Sequence, residues 1–229
     1  MSNHFRTTLA AGQTLRVFSL GRMCHPVAIE MFAQAGGYHG LWLDQEHAGL
    51  TAEQNLVAAI TARANGFGSL VRMPFTHPSL VSQNLESGVE GVMAARINSA
   101  EQADEFVRWC RFAPRGFRGM NTQGADGHYS RRPAKLQAEE ARETFVGAQI
   151  ESRAALDDLD AIAAVPDLDM LFIGPADLSQ ELGVLGQPDH PRVWEAIERV
   201  AAVCKNSGKI WGIVPFGAAS AERCLDLGC

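Results

Sequence analysis

The chain has 229 residues, 46% of them hydrophobic and 20% charged, the composition of a folded globular protein rather than a disordered one. Twenty Lys and Arg against 26 Asp and Glu give a net charge of −6, which argues against a nucleic-acid binder with its basic face. No apolar run approaches the ~18 residues of a membrane helix, and the opening Met1-Ser2-Asn3-His4-Phe5-Arg6 lacks a secretory leader pattern. The five cysteines, Cys24, Cys110, Cys204, Cys224 and Cys229, are scattered and form no C-x-x-C pair. They read as reduced thiols of a cytoplasmic protein.

Short apolar runs alternate with segments of helical period nearly end to end. Leu15–Leu20 is the first run, followed by a helix over Pro26–Ala35, with proline in its first turn and Gly36-Gly37 at its end. Gly40–Asp44 is the second, leading to a helix opened by Thr51 with Gln54 three residues on, a capping box. Ser69–Pro74 precedes a helix over Ser79–Ser87. Gly91–Ile97 precedes one that sets Ala100, Ala103, Phe106, Val107 and Cys110 on a single face. Pro114–Arg132, rich in Gly and Arg, breaks the rhythm; it reads either as a loop over one end of a barrel or as a disordered excursion. A polar helix to Glu143 follows, then runs at Phe145–Glu151, Leu168–Gly174 and Lys209–Phe216. The last two flank a helical stripe of Val193, Trp194, Ile197, Val200 and Cys204.

Repeated strand–helix units predict parallel strands with helical crossovers. Seven strands fit a closed (β/α)8 TIM barrel better than an open sheet, in a single domain spanning 1–229. Such a barrel takes ~250 residues, and the chain stops at Leu227-Gly228-Cys229. The expectation is therefore a barrel lacking its eighth strand and C-terminal helix.

Reactive groups of such folds sit at the C-terminal ends of strands. There the chain places Asp44-Gln45-Glu46-His47, Arg72, Gln149-Ile150-Glu151 and Gly174-Pro175-Ala176-Asp177. Singly, each has a plainer role: a helix cap for Glu151 or Asp177, a hydrogen-bonded rim residue for His47, an ion-pair partner for Arg72. Together they point further. Gln149 and Glu151 share one face of their strand, and converging carboxylates repel unless a divalent cation joins them, with waters completing its oxygen set. Arg72 is a permanent cation suited to an oxyanion. Histidine, the residue at 47, is the side-chain type whose unperturbed pKa lies nearest neutrality, and Asp44 is close enough in sequence to orient it. The set describes enolate chemistry beside a carbonyl.

At these residues the sequence resembles the HpcH/HpaI aldolases, metal-dependent class II pyruvate aldolases. The matching stretches are LWLDQEHAGLT (41–51), LVRMP (70–74), ESGVEGVM (86–93), FAPRGFRG (112–119), QIES (149–152) and FIGPADLSQELG (172–183). The resemblance implies reversible aldol cleavage of a 4-hydroxy-2-oxo acid to pyruvate and an aldehyde through a metal-bound pyruvate enolate. It implies Glu151 and Asp177 as ligands of Mg²⁺, Mn²⁺ or Co²⁺, which pyruvate would chelate. Gln149 and the backbone of Gly174, Pro175, Ala176 and Asp177 would hold the substrate carboxylate. Arg72 would stabilise the enolate oxygen, and His47, paired with Asp44, would manage the proton. Glu46 and Glu86 would orient metal waters. The partners implied are small oxo-acids and aldehydes, with neither nucleic acid nor membrane, and a homo-oligomer built as a hexamer, a trimer of dimers. Gln45 and Ala94-Ala95-Arg96 depart from the family pattern, where a small residue and a hydrophobic–proline stretch are common. Two other readings are a citrate-lyase-like or malyl-CoA-lyase-like enzyme acting on a CoA thioester, with Arg115, Arg118, Arg131 and Arg132 as its phosphate contacts, and a non-catalytic oxo-acid-binding subunit.

Overall fold

The computed structural model describes residues 3–229; Met1 and Ser2, part of the stretch read for a leader, lie outside them. In chain order the elements are α1 (His4–Ala10), β1 (Val17–Ser19), α2 (Pro26–Ala35), β2 (Gly40–Asp44), α3 (Ala52–Ala64), β3 (Gly68–Pro74), α4 (Pro78–Glu86), β4 (Gly91–Ala95), α5 (Ala100–Cys110), α6 (Ala134–Glu140), β5 (Phe145–Ile150), α7 (Arg153–Asp157), α8 (Leu159–Ala163), β6 (Met170–Ile173), α9 (Pro175–Glu181), α10 (Pro191–Ser207), β7 (Ile210–Ile213) and α11 (Ala218–Asp226). The alternation of strand and helix is thus as the apolar pattern predicts. No helix among the described residues is long and apolar enough to cross a membrane.

Two compact units divide the chain, 1–93 with 107–145, and 94–106 with 146–229. In the first, strand order is β1-β2-β3 and then the start of β4; in the second it is β5-β6-β7. The β1/β2, β2/β3, β5/β6 and β6/β7 pairs are parallel. Strands β2, β5 and β6 are buried along their whole length, as expected when both faces of a parallel sheet are covered. The predicted capping box is present: Thr51 Oγ1 accepts from the Gln54 N–H at 3.2 Å, and Gln54 Oε1 accepts from the Thr51 N–H at 2.9 Å.

The first unit begins with a helix that the apolar pattern does not announce. Only Phe5 of α1 is buried, so the helix has no 3.6-residue apolar stripe to read. Its docking is local chemistry. Asn3 caps it, accepting from the Arg6 N–H at 3.1 Å, and donates from Nδ2 to the carbonyls of Glu90 and Glu143 at 2.9 and 3.0 Å. Glu90 also binds His4 through both the backbone N–H and the ring. Phe5 is fully buried because Gly40 and Gly68, at the starts of β2 and β3, leave room for it. A Cβ on Gly40 would lie 2.9 Å from Phe5 Cζ, closer still to Cε1, and 3.0 Å from the Gly68 carbonyl. Gly40→Ala is therefore expected to cost ~1–3 kcal/mol by overpacking, read from the denaturant midpoint. An unchanged midpoint would mean that Phe5 swings aside freely.

Residues 114–132 form an ordered loop. The Ala125 N–H donates to the Glu86 carbonyl at 2.7 Å, Asn121 Nδ2 to Glu86 Oε2 at 2.7 Å, and Gln137 Nε2 to the Asn121 carbonyl at 2.8 Å and Asp126 Oδ2 at 2.9 Å. Glu86 thus anchors this loop. The disordered reading of the segment is set aside. All five cysteines are free thiols.

Candidate active-site residues

In the first unit, β2 and β3 run in parallel with Asp44 opposite Arg72 in register. That register puts both side chains on one face at adjacent strand ends, and they meet as a two-point clamp. Arg72 Nε donates to Asp44 Oδ1 at 3.1 Å and Nη2 to Oδ2 at 2.6 Å. Arg72 Nη1 lies 3.2 Å from Glu46 Oε2, a charge contact without hydrogen-bond geometry, since that oxygen is buried and accepts no hydrogen bond. The guanidinium also stands 5.3 Å from the centre of the Trp42 ring; Trp42 shares a face with Asp44 by the two-residue period of the strand. Burial pushes the Asp44 carboxyl upward, but the Arg72 hydrogen bonds and charge, with the His47 and Glu46 amides, outweigh it and hold the group below the usual carboxylate range.

This geometry corrects the expected Asp44–His47 pairing. Asp44 Oδ1 accepts from the backbone N–H groups of Glu46 and His47, at 3.0 and 3.3 Å, and both its oxygens are taken up by Arg72. The turn after β2 folds the chain back onto the carboxylate through its amides, not its imidazole. The His47 ring is 65% exposed and sits near Glu46, with Nε2 3.8 Å from Oε2. Glu46, rather than Asp44, is the carboxylate beside the ring, and sequence proximity alone does not show which. Gln45 ends a chain of amides that starts in the core: buried Asn55 Nδ2 donates to buried Asn84 Oδ1, and Asn84 Nδ2 to half-buried Gln45 Oε1, both at 2.8 Å.

In the second unit, Gln149 and Glu151 share a face as the strand period predicts. Gln149 Nε2 donates to Glu151 Oε2 at 2.5 Å. Glu151 is 3% exposed, and its Oε1 accepts from the Arg96 N–H at 2.9 Å. Arg96, just beyond β4, holds a left-handed backbone at φ 54°, uncommon for a residue with a Cβ. Gly174 follows β6 beside this carboxylate. A Cβ there would fall 2.7 Å from Gln149 Nε2 and nearer still to Glu151 Oε2, so only glycine leaves that space open. Gln149 Oε1 is buried with no donor. Pro175 brings no N–H, and the Gly174 N–H goes to the Ile150 carbonyl at 3.3 Å. The N–H groups of Ala176 and Asp177 lie in the first turn of α9, where a helix offers them no internal partner. Asp177 is half-buried in that turn.

These features suit a hard cation. A buried carboxylate, a donor-less neutral oxygen and a cradle kept clear by glycine lie together, with a second carboxylate three residues beyond Gly174. No group of three or more His, Cys, Asp or Glu gathers among the described residues.

The basic segment does not supply a phosphate groove of four arginines. Arg118 is buried, pairs with Asp126 at 2.5 Å and lies 4.9 Å from the centre of the Phe112 ring; Arg132 pairs with Glu140.

Parallel strands alternating with helices, with polar side chains gathered at strand ends, define an α/β protein of TIM-barrel-like class. The sequence profile of the HpcH/HpaI aldolase/citrate lyase family matches residues 23–229. The chain belongs to that family. It is 35% identical over 229 residues to a hydroxypyruvate/pyruvate aldolase of Cupriavidus necator, covering 100% of this chain and 84% of that protein. It is 30% identical over 226 residues to a 5-keto-4-deoxy-D-glucarate aldolase of Klebsiella pneumoniae, covering 99% and 87%. The crystal structure of an HpcH/HpaI aldolase from Desulfitobacterium hafniense superposes with a TM-score of 0.91 at 30% identity, over 98% of this chain and 86% of that one.

Proposed function

We propose that the chain is a metal-dependent class II aldolase that cleaves a 4-hydroxy-2-oxo acid reversibly to pyruvate and an aldehyde. The observation that carries this reading is the buried Glu151 carboxylate with the glycine-kept space beside it, in a family whose similar members are named aldolases. Glu151 and Asp177 would hold a divalent cation such as Mg²⁺, Mn²⁺ or Co²⁺. Bound there, the cation would draw negative charge onto the substrate 2-oxo oxygen.

The chain's own residues do the rest. The Ala176 and Asp177 amides receive the substrate carboxylate. Gln149 keeps Glu151 in place and excludes bulk water from its Oε2. In cleavage, a base takes the C4 hydroxyl proton, the C3–C4 bond breaks, the aldehyde leaves, and the electron pair stays on the pyruvate half as its enolate; a proton returned to C3 completes pyruvate. His47 is assigned that proton traffic, with the Glu46 carboxylate beside its ring. Arg72 is assigned the enolate oxygen. Its two hydrogen bonds to Asp44 occupy two of the five guanidinium N–H donors, leaving three. Charge on that oxygen is greatest in the transition state, so a fixed cation there lowers the barrier rather than merely tightening binding. Asp44 then acts as the positioning partner of Arg72.

Exchange of pyruvate methyl protons with solvent deuterium tests the reading without knowledge of the aldehyde. It is expected with Mg²⁺ or Mn²⁺, to stop on chelation by EDTA and to resume on adding metal. Borohydride trapping of a pyruvate imine would overturn it in favour of Schiff-base chemistry.

A further inference from the structure

We propose that Gln45, held by a line of buried amides, is a positioning residue for the chemistry assigned to His47 and Arg72, an inference that rests on the aldolase reading above. From Gln45 to Leu50 the chain is neither helix nor strand, so its shape depends on ties to its neighbours. The Leu50 N–H closes the turn by donating to the Asp44 carbonyl at 3.3 Å, and the Gln45 N–H moors its start to β3 by donating to the Arg72 carbonyl at 2.9 Å. The Gln45 side chain adds two further ties. Nε2 donates to the Leu50 carbonyl at 3.3 Å, and Oε1 accepts from Asn84 Nδ2 at 2.8 Å. One amide thus joins the start of the turn to its end and fastens both to α4. Its neighbours Asp44 and Glu46 instead meet Arg72.

The residues that hold Gln45 are poorly chosen for stability alone. Asn84 is 2% exposed and Asn55 fully buried. Asn84 Nδ2 donates to Gln45 and to the Leu80 carbonyl, at 2.8 and 2.9 Å, while its Oδ1 accepts from Asn55. Every polar atom of that amide is used, so its orientation is fixed. Asn55 Oδ1, by contrast, is buried with no donor, a cost that apolar side chains of like shape at 55 and 84 would avoid. What apolar side chains cannot do is direct a hydrogen bond to one atom of Gln45. That direction matters one residue further on. Glu46 Oε2 is buried without a donor and stays 3.2 Å from Arg72 Nη1 only while the turn keeps its shape. The same turn carries His47, whose N–H and that of Glu46 point to Asp44.

The test uses Gln45→Met, which keeps the length of the side chain and the backbone N–H to Arg72 and removes both amide ties. Deuterium uptake by the Glu46 and His47 backbone N–H groups reads the turn itself, independently of activity. It is expected to quicken about 3- to 10-fold, as when a hydrogen bond that limits local opening is lost. In methyl-proton exchange of pyruvate, kcat is expected to fall about 10- to 100-fold, the effect of a small misplacement of reacting groups. KM for pyruvate and affinity for Mn²⁺ are expected to stay near wild type. Asn84→Ala removes the other side of the contact and is expected to lower kcat likewise, with the double variant no slower than the slower single one, because both act through one hydrogen bond. Asn84→Ala also strands Asn55, so Gln45→Met decides alone if that variant does not fold. Wild-type deuterium uptake in Gln45→Met, wild-type kcat, or a loss seen only in KM or in the melting temperature would each overturn the proposal. Methyl-proton exchange in the wild type that Gln45→Met leaves untouched defeats only the role of Gln45, whereas its absence in the wild type defeats the aldolase reading beneath it.

Discussion

On the proposed reading, Glu151→Gln is expected to leave a folded protein that no longer binds a divalent cation and turns over at least about 100-fold slower, since even a supporting partner of a metal ligand is worth about 10- to 100-fold. Glutamine preserves the volume of a side chain that is 3% exposed and keeps an oxygen for the Arg96 N–H, so packing alone predicts little change. What it removes is the charge that the cradle beside Gly174 confines. Asp177→Asn tests the other carboxylate, and there the fold is at still less risk, because Asp177 is half-buried at a helix start. Titration with Mn²⁺, followed by calorimetry or by the resonance of the free ion, measures affinity directly, and circular dichroism checks the fold. Wild-type affinity in both variants would place the metal elsewhere.

The second large effect concerns Arg72. If its role is the developing oxyanion, Arg72→Lys and Arg72→Ala should both lower kcat, by ~10²–10³, or ~2.7–4 kcal/mol, and should slow methyl-proton exchange. If it only anchors the ground state, KM should rise with kcat nearly intact. Lysine keeps the charge, but one ammonium cannot reproduce a clamp on both Asp44 oxygens together with the Glu46 contact. Stability changes too, and the sign follows from Asp44. Its carboxyl is held below the usual range, so the pairing stabilises the fold above the unfolded pKa of ~3.9 and loses that effect as pH falls through the lower folded value. Removing Arg72 should therefore destabilise the protein most at neutral pH and narrow the stability difference from wild type in acid. Melting curves at neutral and acid pH separate this loss from the kinetic one. Exchange at the wild-type rate in folded Arg72→Ala would remove the residue from the chemistry.

The pairing that matters most in the first unit is also the one least readable from the sequence. Strands β2 and β3 are each evident as apolar runs, and α2 and α3 announce their ends with proline, glycine and the Thr51–Gln54 box. Nothing in either strand states the register that sets Asp44 opposite Arg72. Sequence distance instead favours His47, three residues away, as the partner. The bend after β2 decides otherwise, by turning two amides toward Asp44 and leaving the imidazole outside. The Gln149–Glu151 contact was readable because it lies within one strand, where a period of two fixes the face. The use of the Arg96 backbone N–H on Glu151 depends on a local torsion that residue type does not suggest. Helix α1 is illegible for a different reason. A helix that buries a single phenylalanine carries no periodic signal, and its partners are remote.

That remoteness has a consequence for biosynthesis. The Asn3 bonds that fasten α1 reach across 87 residues to Glu90 and 140 residues to Glu143. A seven-residue helix does not persist alone in water, so α1 leaves the ribosome early without a surface to hold it. Its full set of anchors exists only once the chain has grown through Phe145, whose ring meets Phe5 edge-on at 6.0 Å. Until then the hollow opposite Gly40 and Gly68 lacks the ring that fills it.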